Sequence, residues 1–380
     1  MTAGRRITIT HVIVGLDVGG AERFLYRLIE AHKDSVEFEH RVISLTTKGV
    51  LGPKLEKMGI HVSALNMRSL FDAPRMYFRL VSALRRNKPD VLQCWMYYAD
   101  LLGGLAGRRL GIRNILWGIR NSHFESGGTR LKRFIRKVCA WSSHAVPTRI
   151  VCVAESALAV HAAAGYDSSR MQVIHNGYDP ANFRYSEPQR RALRSKLGIA
   201  EGAIVIGSVG RYSAAKDHAS FIRAAGAVGR EHAGAHFLMV GRDLTNQNET
   251  LRQLTEATGF PERFTLLGER SDVAACMSAM DIFCLHSRTE GFPNVLGEAM
   301  CIGLPCVSTD VGDASVLVGE SGLVVPKDSV VELAAGLTHM LRSTTAQRTE
   351  LGVCARRRIE ENFTLQHAVG KFEMLYRQQA

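Results

Sequence analysis

Short β-branched runs alternate with helix-period stretches along most of the chain. ITITHVIV (7–14), HRVISL (40–45), IHVSAL (60–65), DVLQCW (90–95), RNILWG (113–118) and RIVCVA (149–154) read as buried strands. Amphipathic segments lie between them, the first from Ala21 to about His32. Such alternation predicts a parallel sheet with crossover helices. The pattern pauses at MQVIHNGYDP, 171–180, where Asn-Gly and Asp-Pro supply turn chemistry. It restarts with AIVIGSVGR (203–211), HFLMVG (236–241), FTLLG (264–268), DIFCLH (281–286) and LPCVS (304–308). VELAAGLTHMLRS, AQRTELGVCARRRIEENF and LQHAVGKFEMLYRQ read as closing helices. The pattern predicts two doubly wound α/β units, 1–175 and 176–363, with a last helix over 364–380. Sheets of this kind bind ligands beyond the carboxyl ends of their strands.

The stretch Ser287 to Thr309, SRTEGFPNVLGEAMCIGLPCVST, organises the second unit. Glu290 sits on a loop, and Gly291, Phe292 and Pro293 turn the chain. Pro293 suits a helix start because it needs no donor there. Asn294 to Met300 reads as a helix stopped by Gly303. The backbone N–H groups of Asn294, Val295 and Leu296 are then expected to open on a helix N-terminus, which suits a phosphate. Glu290 and Glu298 flank that point. Carboxylates beside a phosphate repel it unless they face other groups, and sugar hydroxyls are the natural ones. An ordinary helix with an acidic first turn gives the same pattern.

A length of 380 residues suggests two domains, and 46% hydrophobic with 22% charged residues is the composition of a globular protein. No apolar run reaches transmembrane length. The N-terminal run is short and leads into Gly-rich sequence, so it reads as a first strand and not as a signal peptide. The eight cysteines form no CxxC pair, which predicts buried thiols and no metal site. The net charge of +12 is uneven: residues 1–175 carry +13 and residues 176–380 carry −1. A basic first half suits nucleic acid, an anionic membrane or a phosphorylated substrate. Nucleic acid is set aside because no helix-turn-helix, RNP or zinc-finger pattern is present.

Arg211 and Lys216 follow the strand that ends at Gly210 and form a cation pair able to neutralise a diphosphate. A solvated loop pair is the plainer alternative. Gly19-Gly20 lies in the turn between the first strand and the first helix, where a phosphate or sugar can approach the backbone closely. The spacing is not GxGxxG, and such turns are common. His123 follows RNILWGIR in a polar loop with Arg120, Asn121 and Ser122. In RLKRFIRKVCAW (130–141), Leu131, Phe134, Ile135, Val138 and Trp141 form one stripe, with Arg130, Lys132, Arg133, Arg136 and Lys137 off it. The stripe fits either a core helix with a basic back or a helix touching an anionic bilayer.

Taken together, these residues resemble retaining glycosyltransferases of family 4, of the bacterial polysaccharide-assembly type. Glu290-Gly-Phe-Pro-Asn-Val-Leu-Gly-Glu298 resembles the family's E-x7-E motif. IHNGYD (174–179) is similar to its interdomain signature, and Arg211 with Lys216 fits its diphosphate clamp. The resemblance implies the GT-B fold: two Rossmann-like domains facing a cleft, acceptor-binding first and donor-binding second, with a terminal helix crossing back to the first. It implies that Glu290 contacts the donor hexose, and that backbone from Gly291 to Asn294 holds the sugar. Asn294 to Leu296 would take the phosphates and Glu298 the ribose. Gly241, Arg242 and Leu267 to Arg270 would line the base pocket, Gly20 would approach the diphosphate, and His123 would stand beside the sugar. Asp313, in place of a glycine after DVG, and Arg242 depart from the pattern.

The expected activity is transfer of a hexose or N-acetylhexosamine from a nucleotide diphosphate sugar, expected to be UDP-linked, to a glycan precursor on a polyprenyl diphosphate. No cofactor is expected, because no Asp-x-Asp metal motif is present. The expected location is cytoplasmic, peripheral at the inner membrane face. A GT-B nucleotide-sugar epimerase and a non-enzymatic nucleotide-sugar binding module are the alternatives.

Overall fold

The computed structural model describes residues 5–69, 72–122 and 130–378. The chain divides into two compact units, Met1–Gly177 with Leu365–Ala380, and Tyr178–Thr364. The first holds β1 (Ile7–Ile13), β2 (Phe38–Ser44), β3 (His61–Ala64), β4 (Val91–Trp95), β5 (Asn114–Ile119), β6 (Arg149–Cys152) and β7 (Met171–Val173). They pair in parallel in the order β3-β2-β1-β4-β5-β6-β7. The second holds β8 (Ile204–Val209), β9 (Ala235–Val240), β10 (Phe264–Leu266), β11 (Ile282–Leu285), β12 (Cys306–Thr309) and β13 (Gly322–Val325). These are also parallel, in the order β10-β9-β8-β11-β12-β13. The strand order reverses between β1 and β4 and again between β8 and β11. Each reversal opens a crevice at the carboxyl edge, where this architecture binds ligands.

Two strands depart from the sequence reading. Met171–Val173 is a strand where a pause was expected, and Gly322–Val325 adds an edge strand. Both are too short to carry a period-2 signal. The strand expected at 304–308 runs instead over Cys306–Thr309, because Leu304 N–H is still held by Ala299 O at the helix end. Seven of the eight cysteines are buried and Cys354 is exposed.

The terminal helix Leu365–Arg377 packs into the first unit's core with Phe372, Leu375 and Tyr376. Phe372 lies 5.7 Å from the Phe24 ring and 6.3 Å from Trp95. A buried chain of imidazoles also reaches that helix. Trp95 Nε1–H lies 3.2 Å from His11 Nδ1. An indole N–H can only donate, so His11 carries its proton on Nε2. It passes a bond of 2.9 Å to His40 Nδ1, and His40 Nε2–H donates at 3.0 Å to His32 Nδ1. His32 Nε2–H ends the chain on Glu373 Oε1 at 3.1 Å. All three rings are neutral in this arrangement. Burial pulls His40 down to about 3 and lowers His11 and His32 as well.

Candidate functional site

In the second unit, the loops after β8 and β11 are sewn together. Arg288 N–H donates to Ala215 O at 2.9 Å. His286 Nδ1 is 2.6 Å from Lys216 O, and a carbonyl can only accept, so that nitrogen carries the proton. His286 Nε2 then accepts from Ser208 Oγ at 2.6 Å. Burial pushes His286 down to about 3, with His218 adding to it, which keeps the ring neutral. Asp217 stands in the left-handed region at φ 51°, caps the helix His218–Glu231, and accepts from Arg288 Nε at 2.8 Å.

This scaffold fixes two of the expected residues against each other. Lys216 Nζ lies 2.5 Å from Glu290 Oε1, and Ser287 Oγ donates to the same oxygen at 2.6 Å. The side chains are 21% and 13% exposed, so the pair is partly desolvated. Arg211 differs: it is exposed on the loop after β8. Lys216 therefore neutralises Glu290 first, and the two cations are not equivalent as the sequence reading had them.

The helix Asn294–Ile302 begins at Pro293 and ends at Gly303, which is left-handed at φ 88°. The expected set of three open N–H groups is corrected at Leu296, whose N–H donates to Pro293 O at 3.0 Å. The carbonyl of the capping residue takes the short-range bond common at helix starts. Asn294 and Val295 stand in the first turn and Glu298 in the second, half-buried. The Phe292 side chain faces the core, 6.0 Å from Tyr178 and 6.1 Å from Phe363 ring to ring, so a ligand meets its backbone. Gly297 is demanded by Tyr178, because a Cβ there would fall 2.1 Å from the ring. Asp313, expected in a loop, is buried at the N-cap of the helix Ala314–Val318.

The expected base-pocket residues meet at the carboxyl edge of β8, β9 and β10. Gly241 N–H donates to Gly268 O at 2.8 Å, and Tyr212 N–H to Arg242 O at 2.8 Å. Gly241 has φ 154°, and a Cβ would lie 2.1 Å from Gly210 O, so only glycine fits. Leu267 is half-buried beside Gly268. Arg270 is held bidentate by Asp272 at 2.8 and 2.6 Å, and Arg242 lies 3.8 Å from Asp243.

In the first unit, the ends of β1, β4 and β5 frame a cavity of about 490 Å³. Gly19 caps the helix Gly20–Ala31. Of the phosphate or sugar expected to approach Gly19-Gly20, the surroundings suit the sugar: Glu22 Oε2 lies 2.3 Å from where a Gly19 Cβ would stand. A carboxylate there complements the helix dipole and favours hydroxyls over phosphate. His123 lies outside the described residues. The basic helix spans Arg130–Ser142, and of the two readings of its apolar stripe the core helix is the one corrected. Cys139, Ala140 and Ser142 are its buried residues, while Phe134 and Trp141 are 62% and 80% exposed. Lys132, Arg133 and Arg136 line the cavity. Arg130 and Lys137 share the outer face with Phe134 and Trp141, at spacings of 4, 3 and 4 residues.

Two family models match the chain, "Glycosyltransferase Family 4" over residues 18–182 and "Glycosyl transferases group 1" over residues 203–343. The chain belongs to glycosyltransferase family 4. Among curated relatives, the Vi polysaccharide biosynthesis protein VipC/TviE of Salmonella typhi is 26% identical over 310 residues, covering 77% of this chain and 52% of that protein. The Escherichia coli UDP-Gal:alpha-D-GlcNAc-diphosphoundecaprenol alpha-1,3-galactosyltransferase is 25% identical over 253 residues, covering 66% of this chain and 65% of its own length. The chain thus spans between half and two thirds of these two relatives. The crystal structure of Anabaena HepE in complex with UDP superposes with a TM-score of 0.85 at 21% identity, covering 97% of this chain and 99% of that one. The fold of this family 4 member is GT-B.

Proposed function

We propose that the chain transfers a hexosyl or N-acetylhexosaminyl group, with retention, from a uridine diphosphate sugar to a hydroxyl of a polyprenyl-diphosphate-linked glycan precursor in cell-surface polysaccharide synthesis. The observation that carries the reading is the Lys216–Glu290 pair held beside the helix Asn294–Ile302. It sets a carboxylate for sugar hydroxyls next to a cation and a helix N-terminus for a diphosphate. The names of two similar proteins agree: the Anabaena structure holds UDP, and the Escherichia coli relative is named for a diphosphoundecaprenol acceptor.

In the proposed reaction the anomeric C–O bond to the diphosphate breaks. Positive charge grows on the sugar and negative charge on the leaving UDP. Arg211, Lys216 and the helix dipole stabilise the leaving group, a role they can fill without a bound metal. The acceptor oxygen attacks the face the diphosphate leaves, and its proton passes to a departing phosphate oxygen. Glu290 positions the sugar and Glu298 the ribose.

The outer face of the helix Arg130–Ser142 supports peripheral contact with an anionic membrane. Exposed Phe134 and Trp141 are flanked by Arg130 and Lys137, and the helix contains no acid. Among the described residues no helix is long and apolar enough to cross a membrane. The test is incubation with UDP-sugars, with and without a diphosphate-linked acceptor, with EDTA present. Acceptor-dependent glycosylation with an unchanged anomeric configuration supports the reading. Epimerised nucleotide sugar, or binding without turnover, overturns it.

A further inference from the structure

The first unit holds a second cavity, of about 630 Å³, which shares no lining residue with the one at the ends of β1, β4 and β5. Its floor is one face of β1, β2 and β3. Thr10, Arg41 and His61 stand in register across the three strands, and Ile43 pairs with Ser63 in the next row. A face of a parallel sheet is ordinarily apolar, because a helix covers it. Here β2 and β3 present a guanidinium, an imidazole and a hydroxyl instead. The opposite wall is the carboxyl-terminal half of the helix Ala73–Arg86, which contributes Arg79, Ser82, Ala83 and Arg86. Those positions fall on one stripe of the helix.

Both walls are basic. Three arginines line the cavity and, among the described residues, no acid does. Arg41 is answered from outside the lining, because its Nε and Nη2 donate to Glu39 Oε1 at 3.0 and 2.8 Å. Arg79 Nη1 donates to Leu65 O at 2.9 Å, an acceptor that carries no charge. Arg79 and Arg86 therefore bring two guanidinium charges to one cavity without a carboxylate to meet them. Between Ala73 and Lys88 the chain carries four arginines, one lysine and no acid. A cleft walled by one sign of charge concentrates ions of the other sign. The lining also limits what kind of anion fits. It has no aromatic ring to stack on a base and no carboxylate to take ribose hydroxyls, so a nucleotide suits it poorly. Ser63, Ser82 and Asn87 supply neutral hydrogen-bonding groups, and the volume is that of a small-molecule site.

We propose that this cavity binds a small phosphorylated molecule without an aromatic base, its phosphate on Arg79 and Arg86 and its hydroxyls on Ser63, Ser82 and Asn87. A guanidinium meets a phosphate with a forked pair of donors, which suits arginine on both sides of the ligand. The site goes beyond the transferase reading and does not rest on it. Free phosphate esters and lipid head groups share this chemistry, and the enclosing strand face and helix favour the free molecule.

The test is calorimetric titration of the full chain with inorganic pyrophosphate at several salt concentrations. Every protein carries Arg211→Ala, which removes a cation proposed above for a diphosphate in the second unit. Arg79→Gln/Arg86→Gln should weaken binding about tenfold or more and flatten its salt dependence. Arg75→Gln/Arg85→Gln takes the same charge from the same helix outside the cavity lining, and should stay within about twofold. Ser82→Glu, at an exposed helix position, puts a carboxylate into the cavity and should match the first pair; it decides the matter if that pair fails to fold. Glycerol phosphate should displace pyrophosphate, and phosphatidylglycerol vesicles should not. Equal losses in the two arginine pairs overturn the inference, because binding then belongs to the basic surface at large. No loss in either pair overturns it by placing the anion elsewhere. Displacement by the vesicles and not by glycerol phosphate overturns it by assigning the face to a bilayer.

Discussion

Lys216 Nζ lies 2.5 Å from Glu290 Oε1, joining the loop after β8 to the loop after β11. Each side chain holds the other in place, so the two should act as a unit. Lys216→Ala and Glu290→Ala are each expected to lower kcat by about a hundredfold or more. The double variant should lose little beyond either single one. Steady-state kinetics on all three checks this, and additive losses would show that the pair is not coupled.

Gly297 lies under the Tyr178 ring, with no room for a methyl group. Gly297→Ala should cost about 1–3 kcal/mol through overpacking. In a Tyr178→Ala background the same change should cost close to nothing, because the obstructing ring is gone. Chemical denaturation of the four proteins measures the coupling directly.

That contact also shows what the sequence could and could not reveal. The GYD and NVLG segments were both legible as signals, but their packing on each other was not, because the code for it is one absent side chain. The long strands were legible because buried parallel strands are continuous β-branched runs. Met171–Val173 and Gly322–Val325 were missed because three or four residues carry no periodicity. Glu290 and Lys216 stood out by type and place, and the glycine at 241 through the family resemblance. The capture of Lys216 by Glu290 did not, nor did Leu296 N–H bonding to Pro293. The histidine chain joins residues 11, 40, 32 and 373, whose spacing means nothing until β1, β2 and the last helix are assembled. The basic helix was visible as a whole, yet its division into a cavity side and an outer side depends on where it packs.

The buried histidines predict acid sensitivity. His40 and His286 are held at about 3, and His161 and His218 at about 4, chiefly by burial. In the unfolded chain each titrates near 6.5. Below that pH the unfolded state binds protons that the folded state refuses. Each histidine then removes about 1.4 kcal/mol per pH unit until its folded value is reached. Asp100, raised to about 8 by burial, works in the opposite sense with the weight of one such group. Scanning calorimetry should show Tm falling steeply as pH drops from 6.5 toward 5. A flat Tm over that window would contradict the neutral chain.

The outer face of the basic helix carries Phe134 and Trp141 beside Arg130 and Lys137. Arg130→Gln/Phe134→Ser/Lys137→Gln/Trp141→Ser should reduce co-sedimentation with phosphatidylglycerol vesicles by more than tenfold. Each lost cation removes about 1 kcal/mol, and each lost ring more than that. Undiminished sedimentation would place membrane contact elsewhere.

Arg211 is exposed on the loop after β8, away from the Lys216–Glu290 pair's mutual hold, so it isolates the proposed role in leaving-group stabilisation. The decisive measurement is acceptor-dependent sugar transfer from UDP-sugars by wild type and Arg211→Ala, with circular dichroism confirming equal folding. The account predicts transfer by the wild type and a loss of about a hundredfold or more in the variant. Equal rates in the two proteins, or a wild type that never moves sugar to an acceptor, would contradict it.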